Sequence, residues 1–133
     1  MTRLFSVYGD SISSFEGILP QGWRVFFEGE QLELTGVKTP HDTWWGQVID
    51  HFDGQFLANA SWSGCVVEGR DFPVGASAER IEHLQADGRT PDDILVHIGI
   101  NDYGWGGAEA QAAGRSHAMP RCIDPESVPE QIA

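Results

Sequence analysis

Three short blocks of this sequence carry the residue types that acyl-transfer chemistry needs. They are Gly9-Asp10-Ser11, Ser61-Trp62-Ser63-Gly64 and Gly99-Ile100-Asn101-Asp102. The hydroxyl of Ser11 could act as a nucleophile once a base takes its proton. The backbone N–H of Gly64 and the side-chain amide of Asn101 could hold the oxyanion of a tetrahedral intermediate. Together the blocks therefore indicate attack by a serine on an acyl group.

Each of these residues also has a simpler interpretation when it is taken alone. Ser11 could cap the helix that follows it, whereas Gly64 and Asn101 could be ordinary turn residues. The three blocks occur in order, and each lies at the end of an apolar run, which favours the site interpretation.

Four further residues, two within the blocks and two just after the third block, are predicted to contribute to the site. We expect Asp10 and Asp102 to orient their neighbours rather than to transfer protons. Tyr103 and Trp105 follow Asn101 closely and could line a substrate cleft.

The elements that must position the blocks can be predicted from the apolar pattern. Strands are predicted at residues 4–8, 56–58 and 94–98, each just before a block. One helix is predicted to begin with the cap Thr39 and to end at Gly54, with an apolar face. This face comprises Trp44, Trp45, Val48, Ile49 and Phe52.

A second helix is predicted to begin at the cap Ser77 and to end at Gly88, with Ala78, Ile81 and Leu84 along one side. The order strand, helix, strand, helix, strand predicts a mainly parallel sheet. Ligands bind outside the carboxyl ends of the strands in such sheets, which is where all three blocks fall.

Residues 23–34 alternate between apolar and polar positions on both sides of Gly29. This pattern predicts a small hairpin between the first block and the first helix. The hairpin could form a wall of an acyl pocket, or it could be plain scaffold.

The blocks resemble those of the GDSL-like hydrolases, also called SGNH hydrolases. The matching stretches are SVYGDSIS (6–13), NASWSG (59–64) and VHIGIND (96–102), and the resemblance covers roughly residues 3–102. It implies an α/β chain with a three-layer, flavodoxin-like α/β/α fold and a serine esterase or lipase-like activity that proceeds through an acyl-enzyme. Ser11 would be the nucleophile. The N–H groups of Ser11 and Gly64 and the amide of Asn101 would form the oxyanion hole.

The family's Asp-x-x-His block, which supplies the base, has no counterpart in these residues. The positions three before the five histidines hold Lys38, Val48, Arg80, Ile94 and Gly114. Three explanations compete: a longer protein of which this is the front part, a non-catalytic ligand-binding module or incomplete fragment, and a second copy that supplies the missing groups. The first is favoured because residues 124–130 look like the start of a further helix. We therefore expect one domain over residues 1–133, truncated at its C-terminus.

His97 is predicted to be a satisfied core residue on the third strand. His41, His51 and His83 fall on predicted helices and are expected at the surface. His117 follows the third block and could swing toward the site, but we expect this least.

Composition narrows the remaining classes of function. The chain has 8 basic and 20 acidic residues and a net charge of −12, which argues against nucleic acid and anionic membrane partners. The N-terminus runs straight into the first block without a signal peptide, so a cytoplasmic location is expected. Cys65 and Cys122 are expected to be reduced thiols. No metal-ligand or cofactor motif is present. The resemblance implies a small-molecule ester as the partner, with a homo-oligomer as an alternative arrangement.

Overall fold

A computed structural model describes residues 2–67, 72–75 and 77–103, and its centre is a parallel sheet. Strand β1 (Leu4–Gly9) lies in the middle, with β2 (Gln55–Asn59) on one side and β3 (Asp93–His97) on the other. Both ladders are parallel. The three predicted strands are confirmed, and the α/β class with a parallel sheet is confirmed with them.

The predicted first helix is confirmed, but it begins in two steps. A 3₁₀ turn covers Pro40–Asp42, and helix α2 covers Trp44–His51. A short helix, α1 (Glu30–Thr35), precedes them in the chain. The carboxylate of Asp42 accepts hydrogen bonds from the N–H groups of Lys38 (3.0 Å) and Thr39 (2.8 Å). Thr43 caps α2 itself, because its hydroxyl oxygen accepts the N–H of Gly46 at 3.0 Å.

The apolar face of α2 packs on the sheet as predicted. Trp45 and Ile49 are buried, and they join a core cluster that also contains Phe5, Val7, Phe15 and Phe27. Phe52 departs from the prediction, since it is 62% exposed. The two indoles of α2 also hold the turn that follows Ser11. The Nε1 atom of Trp44 donates to the hydroxyl oxygen of Ser13 (2.9 Å), and that of Trp45 donates to its carbonyl (3.0 Å).

The predicted hairpin over residues 23–34 is wrong. The second half of this segment is helix α1 (Glu30–Thr35), which begins after Gly29 and ends at Gly36 in the left-handed conformation. Leu32 and Leu34 are two residues apart, which is the spacing of one face of a strand. On α1 they point in different directions, so Leu32 packs against the core and Leu34 is 76% exposed. The first half, residues 23–27, contains no strand. It is hydrogen-bonded instead to the loops of the site described below.

The predicted second helix is shorter than expected, and the side chain that it buries is not the predicted one. Helix α3 covers Ala78–Glu82, and Gly88 lies in a separate turn between Ala86 and Arg89. Ser77 occupies the N-cap position, but its hydroxyl makes no capping hydrogen bond. Ile81 is 52% exposed, whereas Arg80 is completely buried. A fourth helix, α4 (Ile100–Tyr103), carries the third block.

Strand β3 has one half-open face. Ile94 is 47% exposed and Val96 is 58% exposed. His97 at its end is also exposed, so the expectation of a core histidine is wrong. In the part of the chain that the structure describes, no helix has the length and apolar character needed to cross a membrane.

Candidate active site

The first block forms a tight turn at the carboxyl end of β1. A 3₁₀ turn covers Ser11–Ser13, and the carbonyl of Ser11 accepts two hydrogen bonds from Ser14, one from its N–H (3.1 Å) and one from its hydroxyl (2.6 Å). A Cβ at Gly9 would lie 2.6 Å from the carbonyl oxygen of His97, so only glycine allows this close approach to β3. The half-buried Ser11 side chain is held at a rigid turn that solvent still reaches.

The second block lies beside this turn because β1 pairs with residues beyond the end of β2. The N–H of Ala60 donates to the carbonyl of Val7 (2.9 Å), and the N–H of Trp62 donates to that of Gly9 (3.1 Å). Gly64 follows at φ +84°, in the left-handed region where a side chain would be strained. Gly64 is exposed, so a ligand could approach this part of the loop.

The third block is joined to the second by side-chain hydrogen bonds. Asn101 is 7% exposed, and its Nδ2 donates to the carbonyl of Cys65 at 2.8 Å. This bond uses one of the two N–H groups of the amide. The carboxylate of Asp102 accepts the N–H of Val67 at 2.8 Å and 2.9 Å, so it orients the backbone just beyond Gly64.

The structure therefore brings the three blocks to one edge of the sheet. Hydrogen bonds link the first block to the second through Gly9 and Trp62, and the second to the third through Cys65 and Asn101. Tyr103 ends α4, and only its backbone is described. Trp105 lies outside the described residues, so its predicted place in the cleft stays a prediction.

Asp10 is a carboxylate that the fold removes from solvent. Its side chain is completely buried, and neither oxygen has a hydrogen-bond partner of good geometry in the described ranges. Burial raises the pKa of Asp10, and the backbone N–H of Ile12 and the nearby side chains of His97 and Arg80 act in the opposite direction. Asp10 therefore differs from Asp102, which orients a neighbour by hydrogen bonding.

Arg80 is the residue of this region that sequence reasoning missed. Its guanidinium donates to the carbonyls of Gly9 (Nη2, 2.7 Å), Ala60 (Nε, 3.0 Å; Nη2, 2.8 Å) and Pro73 (Nη1, 3.0 Å). Its Cζ also lies 4.6 Å from the ring centroid of Tyr8. One buried cation thus joins the carboxyl ends of β1 and β2, directly before the first and second blocks. The pattern of α3 placed Ile81 inward, and no local signal marked Arg80.

A cluster of aromatic rings borders the second block. The ring of Trp62 contacts those of Trp23 (centroids 5.7 Å apart) and Phe72 (4.9 Å). Trp23 also contacts Phe72 (5.5 Å) and the exposed imidazole of His83 (4.8 Å). This cluster, which we call the aromatic patch, comprises Trp23, Trp62, Phe72 and His83. No spacing in the sequence predicts that these rings are in contact.

None of the four histidines in the described ranges makes a hydrogen bond to Ser11. His41 pairs with Asp50 (Nδ1 to Oδ2, 2.8 Å), and the His51 ring lies against Phe52. His97 lies nearest the first block, and its ring packs against Trp44, with centroids 5.6 Å apart. His117 lies outside the described residues. The same ranges contain no group of three or more histidine, cysteine, aspartate or glutamate side chains that could hold a metal ion.

The chain belongs to the GDSL-like lipase/acylhydrolase family, whose model matches residues 3–118. A crystal structure described as that of a candidate GDSL-like lipase from Bacteroides ovatus ATCC 8483 is similar to it, with 25% sequence identity and a TM-score of 0.60. The match covers 77% of this chain and 51% of that one, so the chain spans about half the length of the solved relative. No curated protein sequence matches the chain.

Proposed function

We propose that Ser11 is the nucleophile of a serine acyl hydrolase that cleaves an ester through an acyl-enzyme. The observation that carries this proposal is the arrangement of the three blocks at the carboxyl ends of parallel strands, within a chain of the acylhydrolase family. The half-buried Ser11 lies in a turn fixed by Ser14 and by the indoles of α2. A serine held in this way is oriented for attack before the substrate arrives.

In this proposal the oxyanion is held by three donors. They are the N–H groups of Ser11 and Gly64 and the N–H of Asn101 that does not bind Cys65. The hydrogen bond from Asn101 to Cys65 supports the assignment, because it fixes the amide next to the Gly64 loop. Donors that are fixed before reaction stabilise developing charge without a cost of reorganisation.

The proton of Ser11 must pass to a base, and water must later hydrolyse the acyl-enzyme. No histidine in residues 2–67, 72–75 and 77–103 is hydrogen-bonded to Ser11, so we assign the base to residues outside these ranges or to a second copy of the chain. The leaving alcohol receives a proton in the first step, and the released acid is the product of the second.

The test is the hydrolysis of short p-nitrophenyl esters by the natural full-length protein. We expect the Ser11→Ala variant to lose this activity, whereas Thr35→Ala keeps it. Thr35 is a suitable control because its exposed hydroxyl bonds only within α1 and to the adjoining backbone. Activity that survives Ser11→Ala would refute the assignment of the nucleophile.

A second function is favoured by one observation, the absence of a histidine partner for Ser11 among the described residues. A non-catalytic module of the same fold would bind an ester or its products without turning them over. The same hydrolysis assay distinguishes the two functions. The wild-type form of a binding module would bind the ligand but would not hydrolyse the esters.

A further inference from the structure

Residues 23–27 form a segment that connects two loops of the site, and we call it the wall segment. The N–H of Phe26 donates to the hydroxyl oxygen of Ser14 at 2.8 Å, beside the Ser11 turn. The carbonyl of Arg24 accepts the N–H of Ser63 at 2.9 Å, beside Gly64. The wall segment is thus fixed at both loops, and Arg24 is itself the point of attachment to the Gly64 loop.

The side chain of Arg24 lies over the Gly64 loop. A Cβ built on Gly64 would be 3.9 Å from Nη1 of Arg24. The Arg24 side chain is exposed, and within residues 2–67, 72–75 and 77–103 no hydrogen bond or ion pair engages its guanidinium.

The other basic residues in the described ranges are engaged elsewhere. Ion pairs occupy three of them, and Arg80 is bound to carbonyl groups. The ion pairs are Arg3 with Asp93, Lys38 with Glu33, and Arg89 with Asp87. In a chain of net charge −12, an unpaired cation beside the Gly64 loop is therefore a distinctive feature.

The aromatic patch adjoins the same point. Trp23 precedes Arg24, and Trp62 lies two residues before Gly64, with the two ring centroids 5.7 Å apart. Both rings are half-buried, so part of each surface can contact a ligand. The guanidinium of Arg24, which has no partner among the described residues, and the ring of Trp62 thus both lie at the Gly64 loop.

We infer that the natural ester carries an anionic group, a carboxylate, sulfate or phosphate, which Arg24 binds while the adjoining part of the substrate packs against Trp62 and Trp23. This inference rests on the proposed function, since it assigns a substrate class to the same site. An arginine suits this role because its planar fork of N–H donors matches such oxyanions in two-point contact. The acidic chain would otherwise repel an anionic ester, so the local cation determines whether it binds.

The test compares phenyl acetate with two anionic esters, 4-acetoxybenzoate and phenyl hemisuccinate, which carry the charge on the alcohol and acyl sides. The quantity compared is the kcat/KM for an anionic ester divided by the kcat/KM for phenyl acetate. We expect Arg24→Gln to lower this ratio by about tenfold, which is the effect of losing one charged hydrogen bond. Arg24→Lys should retain part of this ratio, and added salt should reduce it in the wild type. The matched control Arg89→Gln removes the same charge at a remote turn and should leave the ratio unchanged.

If Arg24→Gln leaves the ratio unchanged for both anionic esters, the inference is wrong. An equal loss of activity toward all three esters would also overturn it, because it would assign Arg24 to the oxyanion or to loop structure.

Failure of the proposed function can be separated from failure of this inference. If the wild type hydrolyses none of the esters, binding of the amide counterparts N-phenylsuccinamate and 4-acetamidobenzoate is measured by quenching of tryptophan fluorescence. Weaker binding of either to Arg24→Gln, relative to neutral acetanilide, supports the inference without hydrolysis. Equal binding to Arg24→Gln and to the wild type contradicts it.

Discussion

At the residue scale, Asn101 is the side chain whose proposed role is most sharply defined. Its Nδ2 bond to Cys65 leaves one amide N–H for an oxyanion. We expect Asn101→Ala to lower kcat by about 10²–10³-fold, the usual effect of removing one oxyanion donor, with a smaller change in KM. Gln47→Ala, which removes an exposed amide on α2, is the control. A kcat within about threefold of wild type would contradict the assignment.

The burial of Asp10 leads us to expect that the stability of the folded protein depends on pH. Burial raises its pKa in the folded state, so the folded protein binds this proton more tightly than the unfolded chain. The contribution of Asp10 to stability therefore falls as pH rises from the unfolded pKa through the folded one. In Asp10→Asn this dependence is removed, so the Tm of the variant relative to wild type should increase with pH across that window. A Tm difference that does not change with pH would contradict this expectation.

Asp42 provides a contrast of opposite sign. Hydrogen bonds from the N–H groups of Thr39 and Lys38 lower its pKa. Its contribution to stability is therefore present above the unfolded pKa and is lost as pH falls through the folded one. Asp42→Asn should lower the Tm at neutral pH, and the deficit should disappear in acid. A deficit that persists unchanged below the folded pKa would assign the effect to packing.

At the scale of elements, Arg80 joins strands and helix through backbone carbonyls. Arg80→Met would leave the carbonyls of Ala60 and Pro73 without their guanidinium donor, whereas the carbonyl of Gly9 keeps the N–H of Trp62. Because each unsatisfied buried group costs about 1–3 kcal/mol, we expect a loss of about 3–5 kcal/mol in the free energy of unfolding by urea. Arg89→Met at an exposed turn is the matched control. A loss below about 0.5 kcal/mol for Arg80→Met would show that water or other donors replace the guanidinium.

The elements that the sequence predicts well are those with a local signature. Strands β1, β2 and β3 are short apolar runs that end at glycine-containing or polar blocks, and α2 has both a start signal and an apolar face. The segment 23–34 carried a misleading signature, because its apolar residues alternate with the period of a strand although residues 30–35 form a helix. In this segment, helix α1 lies between Gly29 and Gly36. It follows the wall segment, which is hydrogen-bonded to loops of the site.

The placement of the three blocks at one edge of the sheet was predictable for the same local reason, whereas their roles in catalysis stay predictions. Ser11, Gly64 and Asn101 each follow a strand, and parallel strands bring their carboxyl ends together. The contributions of Arg80 and Arg24 depend on carbonyl groups and loops that are distant in sequence, so no spacing in the chain marks them. The exposure of His97 could not be predicted from its neighbours in sequence either, because it depends on which other parts of the chain pack against β3.

At the scale of the whole molecule, β3 is an edge strand of the described sheet, and its residues Ile94 and Val96 are half-exposed or more. Open strand edges with apolar side chains favour association. We expect a polypeptide of these 133 residues, purified by itself, to show a multiple of 14.6 kDa by light scattering. Val96→Lys should weaken this association, whereas Phe52→Lys on α2 should not. A stable monomer would contradict the expectation.

The most direct test of the account is labelling of the natural full-length protein with a fluorophosphonate, followed by peptide mass spectrometry. The probe reacts with a serine whose hydroxyl is activated and whose oxyanion is stabilised, which is the state that we propose for Ser11. We expect one adduct on the peptide that contains Ser11, and no adduct in Ser11→Ala. A folded protein that takes up no probe, or that is labelled at another residue, would contradict the central claim.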